Sequence, residues 1–316
     1  MGRHVAVECP ELDRFVDDAC AAIGREVETL AVPRLAGVVL GGGYGRGEGG
    51  MRGQGLSNDL DFFAITEDGA SSAEIAAIAA ALEPVSLKWT AKIGIDVDFT
   101  VRTPWRIRHD QDRLMIQELV RGYFDVAGDK GERLFAGISR NDASDVPWME
   151  AARLMMNRGM GLMLAKGGMG NGELGADFVA RNINKCVLGA GDARLVARHG
   201  YRWRVQERAD ALGDGLYSSA VEWKFRPKDE PVCDWETARS CWMEAYGEVM
   251  DAGRREGALE RSLREGARWV VRRRSLGSLS TFGRNCTVRV LDGVAGCVRG
   301  RCAPDDALVQ DWKVFN

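Results

Sequence analysis

The chain has 316 residues, of which 45% are hydrophobic and 28% charged, and a formal net charge of −3. That length holds two domains of ordinary size; the balance excludes a disordered chain, and the small charge excludes a generally basic protein, so any anion affinity must be local. Eight cysteines and three histidines form no C-x-x-C pair and no zinc spacing, and with no signal-peptide core and no apolar run of membrane length the chain reads as cytoplasmic, with reduced thiols and no membrane association.

Pro10–Leu30 reads as an amphipathic helix, because Leu12, Phe15, Val16, Cys20, Ile23, Val27 and Leu30 recur at helical spacing. Pro33 stops it. Ala36–Leu40 is a short apolar run suited to a buried strand. It leads into the glycine-rich turn Gly41–Gly50. A polar stretch follows, then a second strand over Asp59–Thr66. Ser72–Leu82 reads as a helix, and Ile93–Val101 alternates as a third strand. This small α/β region ends near Phe135–Ile138. After Pro147 the chain turns helical: Trp148–Lys166, closed by Gly167-Gly168; Asp177–His199, ended by Gly200; then Tyr201–Leu212, Cys233–Gly253 and Ala258–Arg274. In the tail, Thr287–Leu291 is a strand candidate. The expected fold class is α+β: a small mixed-sheet domain over 1–140, an α-helical bundle over 141–275, and a tail over 276–316 packed on one of the two.

The carboxylates carry the chemistry. Side chains alternate faces along a strand, so Asp59 and Asp61 point one way and Leu60 and Phe62 the other. The third strand repeats the pattern with Asp96 and Asp98 against Val97 and Phe99. Strands laid side by side would gather carboxylates suited to hard cations such as Mg²⁺, and a two-metal site needs such a cluster. Upstream, a strand that ends in glycines exposes backbone N–H groups suited to phosphate. Arg46 adds a positive charge able to grip a phosphate oxygen.

Gly42-Gly43-Tyr44-Gly45-Arg46-Gly47-Glu48, followed by Ser57-Asn58-Asp59-Leu60-Asp61-Phe62, resembles the DNA polymerase β-like nucleotidyltransferase superfamily. Its signature is a Gly-Ser or Gly-Gly pair after a strand, then Asp-x-Asp, then a third acid on a later strand. The resemblance spans roughly the first 135 residues; the helical region is only loosely similar to the aminoglycoside and minimal nucleotidyltransferases. The resemblance implies that Asp59 and Asp61 bind two Mg²⁺ ions, and that the third acid, Asp98 or Asp96, binds the ion that activates the acceptor hydroxyl. It implies a nucleoside triphosphate donor, ATP among the candidates, bound at Gly42, Gly43, Tyr44 and Arg46. The stretch from Gly43 to Asp59 is longer than usual for this family, which places an insertion around Met51–Leu56.

Other readings compete. Gly45-x-Gly47-x-x-Gly50 fits a dinucleotide fingerprint on paper, but no apolar helix follows it, and no Gly-Lys-Ser or Gly-Lys-Thr supports a P-loop. A flexible loop would explain the glycines alone. Chance would explain either acidic pair alone. An Asp-x-Asp also suits a sugar-nucleotide glycosyltransferase, which leaves the glycine turn without a role.

In the helical region, Arg181, Lys185 and Asp192 fall on one stripe, opposite Val179, Cys186 and Val187. Lys185, then Arg181, are the candidates for a triphosphate contact; a solvated face explains them equally well. Asn157 and Arg158 interrupt an apolar run and need partners if buried. Asp192 suits a base or, better, an arginine's partner. Trp89 and Trp105 suit the core or a stacked base. Arg261, Arg264, Arg268 and Arg272–Arg274 form a basic helix end that favours a solvated face over RNA. The expected enzyme transfers a nucleoside monophosphate to a hydroxyl of a small sugar- or aminocyclitol-like acceptor and releases pyrophosphate. Its alternatives are a protein or RNA acceptor of toxin–antitoxin type, or a non-catalytic nucleotide binder of the same fold.

Overall fold

The computed structural model describes residues 2–171, 175–257, 286–301, 303–304 and 306–315. The chain is α+β and divides into two compact units, Met1–Asn141 with Lys224–Pro227, and Asp142–Trp223 with Lys228–Asn316.

The first unit opens with α1 (Pro10–Leu30), which starts at a proline, carries Glu11 and Asp13 in its first turn, and ends at Ala31. β1 (Leu35–Leu40) leads into the one-turn helix α2 (Gly42–Gly45). A small hairpin, β2 (Met51–Arg52) and β3 (Gly55–Leu56), occupies the stretch read as an insertion. β4 (Leu60–Thr66), α3 (Ser72–Ile93) and β5 (Val97–Arg102) follow, then α4 (Pro104–His109), α5 (Leu114–Leu119), β6 (Phe124–Gly128) and α6 (Gly131–Leu134). The sheet has four strands in the order β5-β4-β1-β6. β1 is antiparallel to both neighbours, whereas β4 and β5 are parallel. α3 makes the crossover that a parallel pair requires.

The two sheet faces bury different sets. Leu60, Phe62 and Ala64 of β4 join Val38, Leu40 and Val97 under α1 and α3, against Val16, Ile23, Leu82 and Val85. Phe63 and Ile65 pack instead with Val39, Ile107, Ile116, Leu119 and Phe135. Each such large side chain contributes about 1.5–3 kcal/mol by leaving water. Period-two alternation therefore commits Asp59 and Asp61 to the face of Phe63 and Ile65, at the end where that cluster stops.

Two boundaries differ from expectation. α3 does not end at Leu82 but continues through Pro84 to Ile93. The Ser71–Glu74 capping box starts it, and Ile78, Leu82, Val85 and Trp89 keep one buried stripe through the proline, so packing outweighs the local cost. β5 consequently begins only at Val97, and the stretch from Ile93 lies outside it. β6, five residues long and half-buried, was not anticipated.

The second unit holds the 3₁₀ turn Ala143–Asp145 and the helices α7 (Trp148–Asn171), α8 (Ala176–Ala197), α9 (Val205–Leu212), α10 (Gly215–Phe225), α11 (Trp235–Arg255), α12 (Cys286–Val298) and α13 (Asp306–Phe315); the last residues of α10, from Lys224, group with the first unit. α7, α8 and α11 pack on one another, and α12 packs on α7. α7 and α11 run antiparallel and are cross-tied by indoles: Trp148 Nε1 donates to Val249 O, Trp242 Nε1 to Met155 O and Trp235 Nε1 to Leu162 O, at 2.6, 2.9 and 2.9 Å. These rungs recur two helical turns apart on both helices.

The Gly167-Gly168 pair does not close α7. The strand expected at Thr287–Leu291 is helical, because Val290, Leu291, Val294, Ala295 and Val298 are buried at helical spacing. α10 was not anticipated. The helix expected at Ala258–Arg274, with its arginines, lies outside the described residues. Among the described residues, no helix is long and apolar enough to cross a membrane. Cys9, Cys20, Cys186, Cys233, Cys241 and Cys297 are free thiols.

Candidate active site

The site gathers at one end of the sheet in the first unit. β4 and β5 pair in parallel with Leu60 opposite Val97 and Asp61 opposite Asp98, and Leu60 N donates to Asp96 O at 2.9 Å. The two acidic pairs therefore stand side by side in register. Asp98 is exposed as a residue, yet its carboxyl is held above the usual aspartate range, by partial desolvation first and then by the charges of Asp96 and Asp59.

The glycine turn sits directly against these acids. Gly41 N donates to Asp61 O at 2.8 Å. Gly42 has φ +59, and a Cβ there would fall on Asp61 Oδ2. Only a glycine lets the turn take that backbone shape and lets the carboxylate approach so closely. The first internal bond of α2 is Gly45 N to Gly41 O, so the N–H groups of Gly42 and Gly43 lie ahead of the helical ladder, where an anion would find them.

Tyr44 and Arg46, two of the expected contacts, are both bonded within the first unit. Tyr44, read as a nucleotide contact, is wholly buried. Its hydroxyl donates to Gly50 O at 2.7 Å and accepts from Ser57 N and Asn58 N at 3.1 and 3.3 Å. A Cβ on Gly49 would collide with the Tyr44 ring, so the turn wraps the phenol closely. Burial raises the phenol pKa, the Asn58 and Ser57 N–H groups oppose that, and the Asp59 charge adds to it; the hydroxyl stays protonated and able to donate. Arg46 lies between two carboxylates, with Nη1 3.1 Å from Glu118 and Nη2 3.6 Å from Glu48. Glu48 is buried and also meets Lys224 Nζ at 3.2 Å. The guanidinium is thus engaged in an ion-pair network beside the turn.

A further support was not visible in the sequence. The backbone at residues 4–6 pairs with Gly49: Gly49 N donates to His4 O, and Ala6 N to Gly49 O. The His4 ring lies at hydrogen-bond distance from Tyr44 O and from Asp17. Asp13 anchors this strap through the N–H groups of Arg3, His4 and Val5.

Arg181 and Lys185 lie on α8 in the second unit, both exposed, with Arg181 paired to Asp177 at 2.9 Å. Asp192 pairs with Arg208 Nε at 2.9 Å and accepts from the Tyr217 hydroxyl at 2.6 Å; it is an arginine's partner. Arg158 has its charge disfavoured by burial and opposed in this by Asp192. Asn157 accepts from Trp312 Nε1 at 2.8 Å. Trp89 is buried, with its indole on Glu26, whereas Trp105 is exposed and stacked on His109.

Among the described residues, no three His, Cys, Asp or Glu groups are arranged to enclose a metal ion. The donor chemistry nevertheless suits a hard cation. Asp61 and Asp98 are carboxylates in register, and Asp59 and Asp96 press their charges on Asp98, a repulsion that a divalent ion would relieve. No protein-family model matches the chain, and no curated protein is significantly similar to it.

Proposed function

We propose that the first unit is a nucleotidyltransferase domain of the DNA polymerase β-like kind, which moves a nucleoside monophosphate from a triphosphate to the hydroxyl of a small polar acceptor. One observation carries this reading: Asp61, in register with Asp98, rests its carboxylate in the space left by the missing side chain of Gly42. Metal ligands and phosphate donors then share one corner of the sheet.

Asp59, Asp61 and Asp98 would hold the divalent ions, and such ions, when bound, offset the charge on the attacking and leaving oxygens. The rest falls to the chain. The N–H groups of Gly42 and Gly43 orient the phosphates. The acceptor oxygen forms its bond to the α-phosphorus as the bond to pyrophosphate breaks in line. The proton of the acceptor hydroxyl passes to a carboxylate of this cluster. The Tyr44 side chain is buried behind the turn.

Incubation with α-phosphate-labelled nucleoside triphosphates and Mg²⁺, with sugars and aminocyclitols, proteins or RNA as separate acceptors, tests the reading. Label is expected on the small acceptors. Label on a protein or RNA would replace the acceptor class, and no nucleotide binding at all would refute the reading.

A further inference from the structure

We infer that Tyr44 and Asn58 are positioning residues that lock the glycine turn to the metal-binding end of β4. This rests on the proposed function and names the device that keeps its two halves in register. The segment between them is a small hairpin, too short to hold its own shape. Something else must fix where Asp59 begins.

The Tyr44 hydroxyl meets three backbone groups from both ends of that segment. It donates to Gly50 O at 2.7 Å, before the hairpin. It accepts from Ser57 N and Asn58 N at 3.1 and 3.3 Å, after it. Asn58 closes the same gap in the opposite sense, since its Oδ1 accepts from Gly50 N at 3.0 Å and from Ser57 Oγ at 3.3 Å. Ser57 N also donates to Gly50 O at 3.2 Å. The hairpin is thus pinched shut at its base by one buried phenol and one half-buried amide. Asp59 is the next residue along, and Asp61 lies one pleat further, against Gly42. A buried phenol whose hydroxyl donates once and accepts twice holds a single geometry, and residues behind metal ligands set metal affinity.

Mn²⁺ alone is the probe, with free ion read by electron paramagnetic resonance and folding checked by circular dichroism and thermal unfolding. The wild type is expected to bind Mn²⁺ and Asp61→Asn to lose it. Tyr44→Phe keeps the ring and removes the hydroxyl; Asn58→Ala removes the second tie from a half-buried position. Each is expected to weaken Mn²⁺ binding about tenfold while folded at the assay temperature. Should Tyr44→Phe fail to fold, Asn58→Ala decides alone. Unchanged Mn²⁺ affinity in folded variants, even with lower thermal stability, overturns the positioning role and leaves the carboxylate reading standing. A wild type that binds no Mn²⁺ overturns both.

Discussion

Gly42 and Asp98 are the two residues whose chemistry is most exposed to test. At Gly42, φ is +59 and Asp61 Oδ2 occupies the place of a side chain. Gly42→Ala is expected to cost about 1–2 kcal/mol in urea unfolding from the left-handed backbone alone, and to displace Asp61. At Asp98, the folded carboxyl titrates above its ordinary value. Below the unfolded value both states are protonated and the group is neutral in effect. As pH rises through the folded value, the ionised carboxylate destabilises the fold. Asp98→Asn should therefore raise the melting temperature of the metal-free protein at pH 7, with the difference closing towards pH 4, while it removes transfer activity. Equal melting temperatures at both pH values would contradict this account of the cluster.

Among the elements, long periodic helices were legible because one apolar stripe runs their whole length. α1 has the expected bounds, and the seven-residue recurrence of Trp235, Trp242 and Val249 extends one such stripe into rungs on α7. What was not legible depends on partners distant in sequence. The sequence pattern carries α3 only to Leu82, and it is the continued burial of Val85 and Trp89 that takes the helix on through Pro84. β6 shows no periodicity because five half-buried residues are too few. The tail strand was misread because Thr287–Leu291 is β-branched and short, a composition that cannot separate a strand from a packed helix turn. Trp242 sits at the centre of the indole ladder and is fully buried. Trp242→Ala should cost about 3–5 kcal/mol in denaturant unfolding; a loss below 1 kcal/mol, on the same scale as an ordinary surface change, would show that the ladder is not what holds α7 on α11.

For the whole molecule, the first unit is not one continuous stretch. Lys224–Pro227 belong to it, and Lys224 supplies a cation to buried Glu48 beside the glycine turn. No local sequence signal could pair residues so far apart, and the same limit hid the role of Tyr44, which looks like a ligand contact until its hydroxyl is seen bonded on both sides of the hairpin. The acids and glycines were readable because strand alternation and glycine turns are local rules. Lys224→Met should destabilise the chain by about 1–3 kcal/mol, less than a fully broken buried pair because Arg46 still faces Glu48. Combining it with Glu48→Gln should give a clearly non-additive sum in a double-mutant cycle.

Pyrophosphate release from a nucleoside triphosphate, followed in the presence of Mg²⁺ for the wild type and Asp59→Ala, is the deciding measurement for the nucleotidyltransferase reading. Release is expected to require the metal and an acceptor and to fall to background in Asp59→Ala, with the variant still folded. Turnover that survives Asp59→Ala, or a wild type that neither binds nor turns over any nucleoside triphosphate, would contradict it.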